Sequence, residues 1–265
     1  MTFSIAFEPS GNGAPPRSSR RTELMHQPAG SDHLCLPPHF PSSPEPLVIP
    51  VDKPGGSSSF KVVRRLRSIL GIRKIGHTGT LDPMATGLLI CLTGRATKRM
   101  EHYMMLPKEY SGTLRLGETT ASYDAEMPVL ESRPTANVTD EDLVRAAASF
   151  EGEIEQLPPM YSAVKVGGER LYKKARRGES LARPPRCVSV HEFTVEARRG
   201  PDVPFRIRCS RGTYIRSLAH DLGQVLGCGA HLIALRRTAI GPIRVEEAWV
   251  LQELEEAVAG ITGQR

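Results

Sequence analysis

Apolar residues recur at helical spacing in three parts of the chain. Phe60, Val62, Val63, Leu66, Ile69 and Leu70 share a face and predict a helix that Gly71 ends, with N-cap candidates in Ser57 to Ser59. Thr139 to Phe150 predicts a second helix. Thr139 can cap it, Asp140, Glu141 and Asp142 suit the positive end of its dipole, Leu143, Ala147 and Phe150 share a face, and Gly152 stops it. Ile215, Leu218, Leu222 and Leu226 predict a third, ended by Gly227, and Trp249 to Val258 predicts a short fourth. Strand-like patterns lie at 48–52, 110–117, 188–197 and 205–209. Antiparallel-looking strands kept apart from helices predict an α+β fold.

The rest of the chain divides unevenly. Residues 1–46 are rich in Pro, Gly, Ser and His without apolar periodicity, and a disordered extension is expected there. Residues 47–240 are expected to form the main body, and 241–265 a short C-terminal segment. The 265 residues can bury a sizeable core, and 39% hydrophobic with 24% charged residues fits a soluble globular protein. No run is long and apolar enough to span a membrane, and no secretory signal is visible. Five scattered cysteines without a Cys-x-x-Cys pair argue against a zinc site or disulfide framework and suit a reducing cytoplasm.

Charge changes the picture more than composition does. The chain carries a net +6, and the stretch from Lys165 to Arg186 alone holds eight basic residues against Glu169 and Glu179. With Tyr161 and Tyr172 among these cations, the segment suits RNA, whose bases stack and whose phosphates need neutralising. The plainer reading is a solvated charged face.

Candidate chemistry concentrates in Gly76-His-Thr-Gly-Thr-Leu-Asp-Pro-Met-Ala-Thr-Gly-Leu-Leu-Ile90. Its glycines permit unusual backbone angles and Pro83 stiffens the chain after Asp82. No other acid lies between Lys53 and Leu81, whereas six basic residues do. A lone carboxylate on a stiff loop beside a basic surface suits an anionic substrate meeting one nucleophile or base. An Asx-turn is the alternative role for Asp82.

This run resembles the active-site motif of the bacterial tRNA pseudouridine synthase B family, and the likeness extends over about 48–240. Asp52-Lys-Pro-x-Gly-x-Ser-Ser59 is similar to a family motif that supports the aspartate loop, and Leu157-Pro-Pro-Met-Tyr-Ser-Ala-Val-Lys165 to another. The resemblance implies a mixed, mainly antiparallel sheet flanked by helices, with an RNA-gripping insertion at about 157–186. It implies isomerisation of the T-loop uridine of tRNA (position 55) to pseudouridine, without cofactor or metal. Asp82 would be the catalytic carboxylate, as nucleophile or as base. Arg216, in Arg211-Gly-Thr-Tyr-Ile-Arg216, would pair with it, through a fork able to form two bonds, and Tyr110 would complete the catalytic set. Tyr214 and Leu235 would line the uracil pocket with Tyr110. His77 would fill the space left by the flipped nucleotide. Lys165, Lys173, Lys174, Arg176 and Arg177 would grip RNA. The T arm of tRNA is the expected partner, with no membrane or protein partner, and a monomer is expected. One departure is that about twenty-five residues follow Ile240, so a full C-terminal RNA-binding domain is not expected. A non-catalytic RNA-binding or tRNA-folding protein of the same fold is the alternative. A hydrolase is a second, although no Ser-His-Asp or two-carboxylate arrangement presents itself.

Overall fold

The computed structural model describes residues 33–38, 40, 46–162, 165–166, 168–171, 174, 177, 179, 181 and 183–262. Its strands are, in chain order, β1 (His33–Leu34), β2 (Leu47–Lys53), β3 (Ile75–His77), β4 (Thr86–Thr93), β5 (Lys108–Leu116), β6 (Glu118–Thr120) and β7 (Val129–Ser132). There follow β8 (Gly152–Gln156), β9 (Lys165–Val166), β10 (Glu169–Arg170), β11 (Arg186–Val195), β12 (Asp202–Cys209), β13 (Ala230–Ile240) and β14 (Ile243–Arg244). The helices are α1 (Ser59–Leu70), α2 (Met100–Met105), α3 (Asp140–Ala148), α4 (Ile215–Val225) and α5 (Leu251–Thr262).

Local signals explain the helix ends. The Ser58 side chain accepts from the Lys61 amide at the start of α1, and Gly71 closes it at φ 68°. Thr139 and Asp142 form a reciprocal capping box on α3. That helix stops at Ala148 instead of Phe150, and Gly152, expected as its stop, opens β8.

Among the described residues ten strands form one sheet in the order β1-β2-β4-β13-β5-β12-β11-β8, with β3 on β4 and β14 on β13. It is mixed: β1 runs parallel to β2 and β13 parallel to β4, while the other pairings are antiparallel. On one half, α3 and α4 cover a core that includes Leu143, Leu218, Leu222, Val203, Phe205 and Ile207. On the other, α1 and α5 enclose Val62, Leu66, Val51, Leu89, Trp249 and Leu254. The halves meet at β13. Gly87 sits opposite Arg237 there at φ 100°, and a Cβ at Gly87 would lie 2.3 Å from the Arg237 carbonyl oxygen. Only glycine meets both demands.

Two expectations need correction, and two elements were not foreseen. The extension expected over 1–46 ends sooner: β1 pairs with β2, Cys35 is buried, and its carbonyl accepts the Trp249 indole N–H at 3.0 Å. Residues 1–32 lie outside the described residues. The stretch 241–265 is no separate segment, because β14 pairs with β13 and Trp249 and Leu254 belong to the core. The polar stretch after Gly117 contains β6, paired with β7. The central strand β13 had no counterpart in the sequence pattern, because two register shifts and a buried Arg237 break its alternation.

Candidate active site

The Asp82 loop is held from several directions. The Ser59 hydroxyl, at the start of α1, accepts from the Leu81 amide at 2.9 Å and donates to the Leu81 carbonyl at 3.2 Å. The Ala85 amide donates to the Asp82 carbonyl, and the Gly56 amide to that of Pro83. The buried Lys53 ammonium donates to the carbonyls of Pro54, Ser57 and Pro83 at 2.9, 2.6 and 3.3 Å. Burial pulls the Lys53 pKa down to about 8, which the Asp82 carboxylate partly opposes. The Asp-Lys-Pro stretch thus staples the turn after β2 to the aspartate loop.

Opposite Asp82 stands Arg216, at the first turn of α4. Its side chain is 4% exposed, against 36% for Asp82. Arg216 Nε donates to Asp82 Oδ2 at 2.8 Å, and the same nitrogen lies 3.4 Å from Oδ2 of the buried Asp124. The two-bonded fork to one carboxylate does not form. Arg216 Nη1 donates instead to the Ser122 carbonyl at 2.8 Å, and Nη2 to the Tyr161 carbonyl at 2.9 Å. Every nitrogen of this guanidinium is thereby engaged, so four partners fix its orientation.

Asp82, Tyr110, Tyr214, Arg216 and Leu235 line one cavity of about 640 Å³, together with Arg186, Arg211 and Arg237. Its wall combines the aspartate loop, β5, β13 and the turn before α4. Buried Gln156 accepts from the Tyr214 amide at 2.6 Å and donates to its carbonyl at 3.0 Å, fixing the backbone that carries the ring. Burial raises the Tyr110 phenol above its usual pKa, and the positive charge of Arg237 works against that rise. Arg237 itself is buried and donates to the carbonyls of Leu88 at 2.7 Å and Gly79 at 3.2 Å.

His77 stands beside the cavity without lining it. Its Nδ1 accepts from the Gly79 amide at 3.4 Å, and burial, then the Arg237 charge, lower its pKa. Of the expected RNA contacts, Lys173 and Arg176 lie outside the described residues. Lys165 is placed on β9, paired with β10. Arg177 is described and engaged, with two bonds to Glu169 at 2.8 Å and one to Glu179 at 2.7 Å.

Sequence reasoning missed Asp124, Gln156 and Arg237. Only Arg237 carried a signal, as the end of a basic pair beside Leu235; the other two gain their meaning from contacts across 58 residues or more.

A solved Cbf5-Nop10-Gar1 complex contains a chain that superposes with a TM-score of 0.62 at 34% identity, over 79% of this chain and 53% of that one. This chain therefore spans about half the length of that structural relative. The model of the TruB family pseudouridylate synthase N-terminal domain matches residues 67–215. That of the tRNA pseudouridylate synthase B C-terminal domain matches 216–263, and so takes in the final stretch for which the sequence alone predicts only a short segment. The fold and these matches define a pseudouridylate synthase.

The chain belongs to the TruB family. It is 49% identical over 208 residues to the tRNA pseudouridine synthase B of Opitutus terrae, covering 78% of this chain and 86% of that protein. It is 47% identical over 215 residues to the protein of that name from Thermobifida fusca, covering 78% and 73% respectively.

Proposed function

We propose that this chain isomerises a T-loop uridine of tRNA to pseudouridine, with Asp82 as the catalytic carboxylate. The observation that carries the reading is the 2.8 Å bond from Arg216 to Asp82 at the wall of a cavity, in a chain of this family. In the reaction the bond from N1 to the ribose breaks, the uracil turns, and C5 takes its place. One proton leaves C5 and one reaches N1, so no redox partner or energy donor is needed. Asp82 either attacks the substrate or removes a ribose proton while the base is detached. Arg216 holds one carboxylate oxygen and leaves the other free to face the cavity.

Tyr110 supplies a ring against which the uracil stacks and a phenol that helps transfer the C5 proton. Tyr214 and Leu235 complete the apolar wall. Neutral His77 stands beside the cavity to occupy the space of the flipped nucleotide. Arg186 and Arg211 at the cavity, with the insertion that includes Lys165, Lys173, Lys174, Arg176 and Arg177, meet the T-arm phosphates. All of these groups come from one chain, which suits action as a monomer. Among the described residues no helix is long and apolar enough to cross a membrane. The cysteines are free, which suits a reducing cytoplasm.

The test is incubation of purified protein with an unmodified tRNA transcript, followed by mapping of pseudouridine. Product at the T-loop uridine, lost in Asp82→Asn, is the expected result. Product elsewhere, or none, would overturn the assignment.

A further inference from the structure

The Arg216 guanidinium draws two of its oxygens from one short loop, Ser122-Tyr123-Asp124. Between the two residues that supply these acceptors stands Tyr123, at φ 64°, the left-handed region that a bulky side chain seldom adopts. The sharp reversal there aims the Ser122 carbonyl and the Asp124 carboxylate at the same guanidinium. Local bonds brace the loop. The Ser122 hydroxyl donates to Asp124 Oδ1 at 2.5 Å, and the Thr120 hydroxyl to the Asp124 carbonyl at 2.7 Å. The Leu232 amide of β13 donates to the Tyr123 carbonyl at 3.0 Å.

The Tyr123 side chain has one further anchor. Its ring stacks on that of His220, with centroids 3.9 Å apart and planes 13° from parallel. His220 lies one turn beyond Arg216 on α4, so the helix that carries the arginine also carries the plate that holds the loop. Buried His220 Nδ1 has no hydrogen-bond partner, so the imidazole is held by its face.

We infer that Tyr123 and His220 are positioning residues: their stack keeps the strained loop in the one conformation that orients Arg216, and through it Asp82. The inference rests on the functional reading above. It differs from a purely structural role in what it predicts for the chemical step. Strain at a non-glycine left-handed residue persists only where its surroundings enforce it. Without the stack the loop relaxes, one or both oxygens leave Arg216, and Asp82 Oδ2 loses its fixed partner.

The experiment compares His220→Ala, His220→Phe and Tyr123→Gly with the wild type in single turnover on a tRNA transcript at saturating protein. His220→Phe keeps a flat ring, whereas glycine at 123 removes the ring and opens to the backbone many conformations besides the left-handed one. The expected result is a loss of about 10- to 100-fold in rate for His220→Ala and Tyr123→Gly, with RNA affinity kept and His220→Phe close to wild type. Wild-type rates in both ring-deleted variants would overturn the inference, as would a His220→Phe rate as low as that of Ala. Nitrogen-15 NMR of the Arg216 Nε–H gives a readout independent of activity: its exchange with solvent should quicken in Tyr123→Gly and stay slow in His220→Phe. Equal exchange in all would sink the idea even if His220→Ala failed to fold. A wild-type protein inactive on tRNA would defeat the functional reading instead, and the NMR comparison would still decide the positioning claim.

Discussion

Tyr110 and Arg237 are register partners on adjacent antiparallel strands, and both line the cavity. The arginine is buried, and the described residues place no carboxylate within salt-bridge distance of it. Its charge is therefore felt by the titratable groups around it. It lowers His77, Lys53 and Lys108, each of which is already lowered more by burial.

Arg237→Gln should relieve that pressure. Tyr110 loses its lowering influence, so its phenol should titrate at still higher pH, while His77 should titrate closer to the ordinary histidine range. The signs follow from removing a cation beside an acid and beside a base. Ultraviolet titration of the phenol and proton NMR of the imidazole would check them. If neither group moves, the cavity is better solvated than its geometry indicates.

Asp82→Asn should reduce the single-turnover rate by about a hundredfold or more while tRNA affinity changes little, because the amide keeps the shape and loses the chemistry. Arg216→Lys should be nearly as slow. One ammonium cannot serve Asp82, Ser122 and Tyr161 in their three directions, and the carbonyls left unpaired should cost about 2–4 kcal/mol of stability. A Lys variant with wild-type rate and melting temperature would refute the orienting role.

RNA affinity should depend on Arg186 and Arg211 more than on Arg177. The first two line the cavity and have no ion pair among the described residues, whereas Arg177 is held by two glutamates. Arg186→Ala and Arg211→Ala should each flatten the log-log salt dependence of binding by roughly 0.7–0.9, and Arg177→Ala should hardly change it. A salt titration that reverses this ranking would mean that the glutamates release Arg177 when RNA arrives.

Burial raises the Asp221 carboxyl to about 6. Between the ordinary aspartate range and that value the folded protein binds more protons than the unfolded chain. Stability from this group is thus full at low pH and falls as pH rises through about 6. Asp221→Asn should stabilise the protein by about 1–2 kcal/mol at neutral pH and by almost nothing near pH 4. Urea unfolding of both proteins at the two pH values measures the difference, and a gain independent of pH would assign it to packing.

The parts of the site legible in the sequence were those written into contiguous stretches. Asp82 stood out through its glycines and Pro83, and Arg216 through the run that starts α4. The α1 helix was readable because its apolar spacing and both caps are local. Asp124 was hidden because its environment comes from Arg216, 92 positions away by their numbering, and Gln156 because its partner is Tyr214. Strand β13 was unreadable for a related reason. Its neighbours on either side, β4 and β5, make even the charged position Arg237 part of the interior. The basic insertion showed its charge in the sequence but not which guanidinium is already taken, as Arg177 is.

The bond between Asp82 and Arg216 spans 134 positions of the chain and joins the two halves of the sheet. During synthesis from the N-terminus, the aspartate loop with α1, β2 and β4 exists well before the arginine is made. The strand that joins the halves comes later still. No early folding intermediate can therefore hold the reactive pair, whatever native structure its first half has gained. A nascent chain that meets tRNA through its basic insertion does so before its chemistry is assembled, so binding should precede competence in time as well as in mechanism.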